Sequence, residues 1–148
     1  PLKNLLDNSD FAQPVNSRGE TEYGGAKQMT IDRWQTGGTS LSVKICNGYI
    51  SLYNNSSSGR NSLSQYFSGD HTDRVYTVAF CDYDTGAVYA NYFTVSANNG
   101  KDQYFGSADY IDDDGDTYSI RGTVTAEGVF GVNILVPAKK TLHIRWAG

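Results

Sequence analysis

The densest chemical material in this 148-residue chain lies at Gln65–Arg74, QYFSGDHTDR, where Tyr66, Asp70, His71, Asp73 and Arg74 fall in one loop-like stretch. An aromatic ring beside carboxylates, an imidazole and a guanidinium is the set needed to hold a pyranose. The ring stacks on the apolar C–H side of the sugar, and the polar groups hydrogen-bond its hydroxyls. Tyr83, near the end of an expected hairpin, and Tyr104, in NNGKDQYFG, are further aromatics of this kind. The competing reading is a plain solvated connection at 65–74, with Tyr83 and Tyr104 as cross-strand packing residues.

Other chemistry finds less material. YIDDDGD at Tyr110–Asp116 has the oxygens a calcium ion takes. With Gly115 at loop position six, however, the EF-hand template puts Tyr110 at position one and Arg121 at position twelve, where carboxylates are required. The acidic loop 112–116 therefore reads as a solubilising turn, and no metal is assigned. The two histidines, His71 and His143, sit in no zinc motif or nucleophile elbow. Carboxylates are plentiful, but the separation that makes a glycosidase acid and base is a property of three dimensions. The chain is accordingly expected to be no enzyme, with no catalytic residue and no cofactor. Cys46 and Cys81 lie in apolar, strand-like runs without metal spacing, and the expectation is two buried thiols, with a disulfide between neighbouring strands left open.

Composition narrows the partners. The net charge is −4, from 12 basic and 16 acidic residues spread along the chain, and no basic stripe exists to neutralise phosphates, so nucleic acid is excluded as a ligand. No apolar run approaches the ~20 residues of a membrane-spanning helix. A chain of this length can bury roughly 70% of its unfolded surface, so residues 1–148 are read as a single domain that needs no disulfide or metal to stand. It begins at Pro1 and its one methionine is Met29, which suggests a piece of a longer polypeptide.

The elements that must position these groups are strands. LSVKIC, Asn47-Gly48 and YISLYN read as a tight hairpin, with Asn-Gly expected to supply two positive φ values. DRVYTVAFCDYD, Thr85-Gly86 and AVYANYFTV read as a second hairpin with longer arms. TYSIRGTVTA, Glu127-Gly128 and VFGVNILV read as a third. KTLHIRW closes the chain, with Leu142, Ile144 and Trp146 alternating toward a core. SLSQYFSG at Ser62–Gly69 is assigned to a strand. Helical periodicity is absent, and eight to ten short strands at this spacing indicate an all-β antiparallel sandwich of jelly-roll type.

The opening, NLLDNSDFAQPVNSRG at Asn4–Gly19, is too polar to fill a core by itself. It is expected to lie as an ordered loop over a sheet, followed by TIDRW at Thr30–Trp34 as the first strand. Asn8, Asn16 and Arg18 can satisfy its backbone groups while Phe11 anchors it, so the block is read as closing one end of the sandwich. As neighbours on a strand, Asp32 and Arg33 would face opposite ways, one of them pairing with the loop, and Trp34 is read as a core or rim aromatic on the Asp32 face.

NLLDNSDFAQPVNSRG, Tyr23, TIDRW, the GYISL strand and the terminal LHIRWAG together resemble, in order, a domain recurrent in tail-fibre and minor structural proteins of phages and prophages of Gram-positive and gut bacteria. Members of that family often carry Gln where this chain has Ser17, and often continue beyond its closing strand. The resemblance implies a carbohydrate-binding-like jelly roll in a virion adhesion device, with a host cell-surface glycan as partner. Fibre membership further implies a homotrimer, although no heptad or collagen repeat accompanies it. Two other roles fit the same sequence: a non-binding structural, decoration or trimerisation domain of a virion, and an extracellular carbohydrate-binding module of a secreted bacterial glycosidase.

Overall fold

The structure is a computed structural model that describes residues 4, 6–25, 28–67, 75–78, 80–86, 88–89, 93–97, 101–103, 118–121 and 130–148. Among these residues there are strands and turns but no helix. A six-stranded antiparallel sheet is ordered β1 (Glu22–Tyr23), β3 (Leu41–Ile45), β4 (Ile50–Asn54), β13 (Thr141–Ala147), β7 (Phe80–Asp82), β8 (Val88–Tyr89). A five-stranded antiparallel sheet is ordered β10 (Lys101–Gln103), β9 (Phe93–Ala97), β12 (Phe130–Val136), β5 (Asn61–Phe67), β2 (Gln35–Thr36). A third ladder pairs β11 (Tyr118–Arg121) with β6 (Val75–Val78).

The two larger sheets share one apolar core, which gives the fold its β-sandwich-like character. Leu41, Val43, Ile50, Leu52, Leu142 and Ile144 enter it from the first sheet, and Leu63, Val132, Ile134 and Val136 from the second. Period-two alternation on β3, β4 and β13 sends the intervening Ser42, Lys44, Ser51, Tyr53 and His143 outward, as a half-buried sheet requires.

Several expectations change. β3 and β4 form the expected hairpin, closed by Cys46 N donating to Tyr49 O at 2.9 Å. Of its two turn residues only Gly48 has positive φ, at 92°, so the turn is not the doubly left-handed one. The second hairpin is confined to β7, the Thr85-Gly86 turn and β8, and its longer arms belong elsewhere, β6 with β11 and β9 with β10 and β12. Among the described residues the arms assigned to the third hairpin pair elsewhere: β11 with β6, and β12 between β5 and β9. Glu127-Gly128 itself lies outside the described residues. β13 closes the chain as expected, but a register shift between Ile144 and Trp146 turns the indole outward and buries Ala147 instead. Both cysteines are free thiols, Cys81 buried and Cys46 half-buried.

TIDRW is a turn rather than a strand. Ile31 and Trp34 are both fully buried, and two residues three apart cannot point the same way along a pleated strand. The chain therefore doubles back. Thr30 N donates to Trp34 O at 2.8 Å and Trp34 N to Ile31 O at 3.1 Å, with Arg33 left-handed at φ 73°. Met29 bridges to Gln35 just outside this turn. Asp32 and Arg33 are released from opposite-face geometry, and both reach the N-terminal block.

That block ties the two sheets together at one end. On the first sheet, Ala147 N donates to Ser9 O at 3.1 Å, Asp10 bridges to Trp146, and Asn4 Nδ2 donates to Ala147 O at 3.1 Å. On the second, the buried Gln65 clamps the Asp7 backbone, accepting from its N–H at 2.7 Å and donating to its carbonyl at 2.8 Å. Trp34 Nε1 donates to the carbonyls of Asp7 and Asn8, at 3.1 and 3.0 Å, and its ring meets Phe11 edge-on at 5.5 Å between centroids. Asn8 donates to Val15 O and Asp32 O and accepts from Val15 N. Asn16 donates to Glu20 O and Arg18 to Thr30 O. Backbone groups of an irregular segment need partners, and these side chains supply them. Asp32 accepts from both the N–H and the hydroxyl of Ser17, which holds its carboxyl below the usual range, with Arg18 adding a smaller Coulombic effect.

Candidate functional site

Of the sequence-chosen ligand residues, Asp70, His71, Asp73, Arg74 and Tyr104 lie outside the described residues, as does the acidic loop 112–116. Tyr66 is half-buried, and its carbonyl accepts from Arg33 Nη2 at 3.1 Å while Arg33 Nε binds Asp7 at 3.1 Å. Tyr66 thus borders the N-terminal block.

Tyr83 is different. It follows β7 directly, its N–H donates to His143 O at 2.9 Å, and the residue is 45% exposed. Tyr49, which follows the Asn47-Gly48 turn, stacks on it with centroids 4.3 Å apart and planes 26° from parallel. The His143 ring lies 4.8 Å from Tyr49, tilted 46° to it. Asp84, in the turn between β7 and β8, grips His143 Nδ1 with both carboxylate oxygens at 2.9 and 3.1 Å. A proton on Nδ1 is donated to that carboxylate, so the imidazole is oriented by Asp84.

Each member arrives from a different local cause. Tyr49 reaches the outer face because the hairpin turn ends one residue before Ile50 points inward. His143 is the outward residue between buried Leu142 and Ile144. Asp84 is held by a compact turn in which Asp82 Oδ2 accepts from both the N–H and the hydroxyl of Thr85, and Gly86 N donates to Asp82 O. The Tyr49 phenol is raised above its ordinary pKa, first by its hydrogen bond to the Cys46 side chain, then by Cys46 charge, burial, Asp84 and Tyr83. It stays a neutral hydroxyl throughout the physiological range.

The arrangement offers a stacked pair of phenol rings with one exposed, an exposed carboxylate and an oriented imidazole. It can cover the apolar face of a ring-shaped ligand and hydrogen-bond its edge. Tyr83 was legible in the sequence as an aromatic at a hairpin end. Tyr49, Asp84 and His143 were not singled out as ligand residues, although the Asn-Gly turn and the Leu-His-Ile alternation would place two of them outward.

Gly48 supports the stack from below. A Cβ there would meet Tyr83 Cε1 at 3.3 Å, and the left-handed φ adds roughly 1–2 kcal/mol for any side chain. Gly48→Ala is expected to lower the unfolding free energy by about that amount, read by urea titration, and to displace the Tyr83 ring.

No protein-family model, no curated protein and no solved structure matches this chain.

Proposed function

We propose that this protein is a glycan-binding module, a jelly-roll domain of a phage tail-fibre or receptor-binding protein that contacts a host cell-surface glycan from the virion as a homotrimer. The observation that carries the binding role is the exposed Tyr83 ring, backed by Tyr49 and flanked by Asp84 and the Asp84-bound His143. Phenol rings supply the stacking surface that the apolar side of a pyranose needs, and the carboxylate and imidazole supply partners for its hydroxyls. The virion setting rests on the resemblance of the N-terminal block, whose residues brace the two sheets.

Tyr83→Ala tests the binding role. Glycan-array binding followed by calorimetric titration of the best sugar is expected to show at least about a tenfold loss of affinity, with an unchanged unfolding midpoint because the ring is exposed. Equal binding by the variant and the wild type would remove Tyr83 from the site.

A further inference from the structure

The outer face of the six-stranded sheet continues well beyond the aromatic cluster. Register places Lys44, Ser51 and His143 side by side on β3, β4 and β13, with Glu22 of β1 opposite Lys44. One level further from the Tyr49 end stand Ser42, Tyr53 and Thr141. Their strand neighbours Val43, Leu52 and Leu142 fill the core, so all of these share the outward face. Tyr53 is 36% exposed. It is four residue steps from Tyr49, about 13 Å along an extended chain.

Between these aromatic ends the middle row is Lys44, Ser51 and His143, and the hydroxyl side chains Ser42 and Thr141 flank Tyr53 at the far end. The result is a shallow strip with stacking surfaces at both ends and hydrogen-bonding groups between them. Its length exceeds one sugar ring. Its charged groups are matched in place, with Glu22 opposite Lys44 in register and Asp84 bound to His143.

We propose that the ligand is a linear, uncharged oligosaccharide laid along β4 from Tyr83 and Tyr49 to Tyr53. This rests on the glycan-binding reading of the Tyr83 cluster and extends it to a chain length and a charge class. Tyr53 provides the far stacking surface flanked by the Ser42 and Thr141 hydroxyls, and Lys44, Ser51 and His143 meet the sugar units between.

The test is calorimetric titration of the intact chain with neutral gluco-, galacto- and N-acetylglucosamine oligosaccharides from monosaccharide to hexasaccharide. Sialylated and uronic-acid glycans of matched length run alongside. Affinity should rise with length in the neutral series and fall short in the acidic one. Tyr53→Ala should remove the gain with length, about tenfold on the longest sugars, whereas Tyr53→Phe, which keeps the ring, should retain it. An unchanged thermal midpoint shows that each variant is folded. Binding that is abolished by Tyr83→Ala but flat with length, indifferent to Tyr53→Ala, or stronger for acidic sugars would overturn this inference and leave the glycan-binding reading standing. No binding to any sugar by the wild type would overturn both.

Discussion

Replacement of Trp34 by Ala is expected to lower the unfolding free energy by about 3–5 kcal/mol, a large part of the roughly 5–15 kcal/mol that a domain possesses. Trp34 is the largest of the fully buried side chains, so its removal opens a cavity beside Phe11 that the surrounding turn cannot fill. The loss is more than apolar. The indole N–H is shared between the carbonyls of Asp7 and Asn8, and without it the N-terminal block keeps Gln65 and Arg33 as its ties to the second sheet. Urea unfolding should show a lower midpoint. Limited proteolysis should cut within residues 6–16 under conditions where the wild type resists. A variant that lost less than about 1 kcal/mol would mean that the block, and not the indole, carries the closure.

Asn54→Ala is expected to cost about 2–4 kcal/mol, through buried polar groups left without partners rather than through volume. Asn54 is fully buried at the end of the sandwich opposite the N-terminal block. Its Nδ2 donates across the sheets to Val136 O at 2.9 Å and to Gly59 O at 3.1 Å, while its Oδ1 accepts from Ser40 Oγ at 2.8 Å and Ser56 N at 3.0 Å. Every donor and acceptor of the amide is used. The substitution should lower the urea midpoint with little change in its slope, since the exposed surface on unfolding is the same.

These two residues mark the limit of what local pattern reveals. The β3–β4 hairpin was readable because its cause is local: an Asn-Gly turn between alternating segments, with partners a few residues apart. The placement of β12 between β5 and β9 was not, because antiparallel partners far apart in sequence leave no mark on the stretch between them. A turn signal at Glu127-Gly128 invited the nearest pairing instead. TIDRW failed for another reason. Its Ile and Trp suggest a strand by composition, while the three-residue spacing of two buried side chains demands a turn. Trp146 was misplaced because a one-residue register shift, set by pairing with β7, reverses the face of everything beyond it.

The candidate site divides in the same way. Tyr83 could be chosen from sequence as an aromatic at a hairpin end. Its partners could not, since Tyr49 comes from one hairpin, Asp84 from another and His143 from the closing strand, joined only by the neighbouring of β4, β13 and β7. The Asp82–Thr85–Gly86 hydrogen bonds that hold Asp84 are local and follow from turn chemistry. The bidentate grip on His143 is not local.

By itself the sequence determined the all-β class, the outward and inward faces of its regular strands, the tightest hairpin, the polar character of the N-terminal block and the acidic net charge. Each follows from the short-range period of side chains or from composition. Only the tertiary structure decided which strands share a sheet, that TIDRW turns, that the indole of Trp34 closes one end and Asn54 the other, and that Tyr49, Tyr83, Asp84 and His143 meet. Those outcomes depend on contacts between distant segments, whose free energy is set by how two complete surfaces fit.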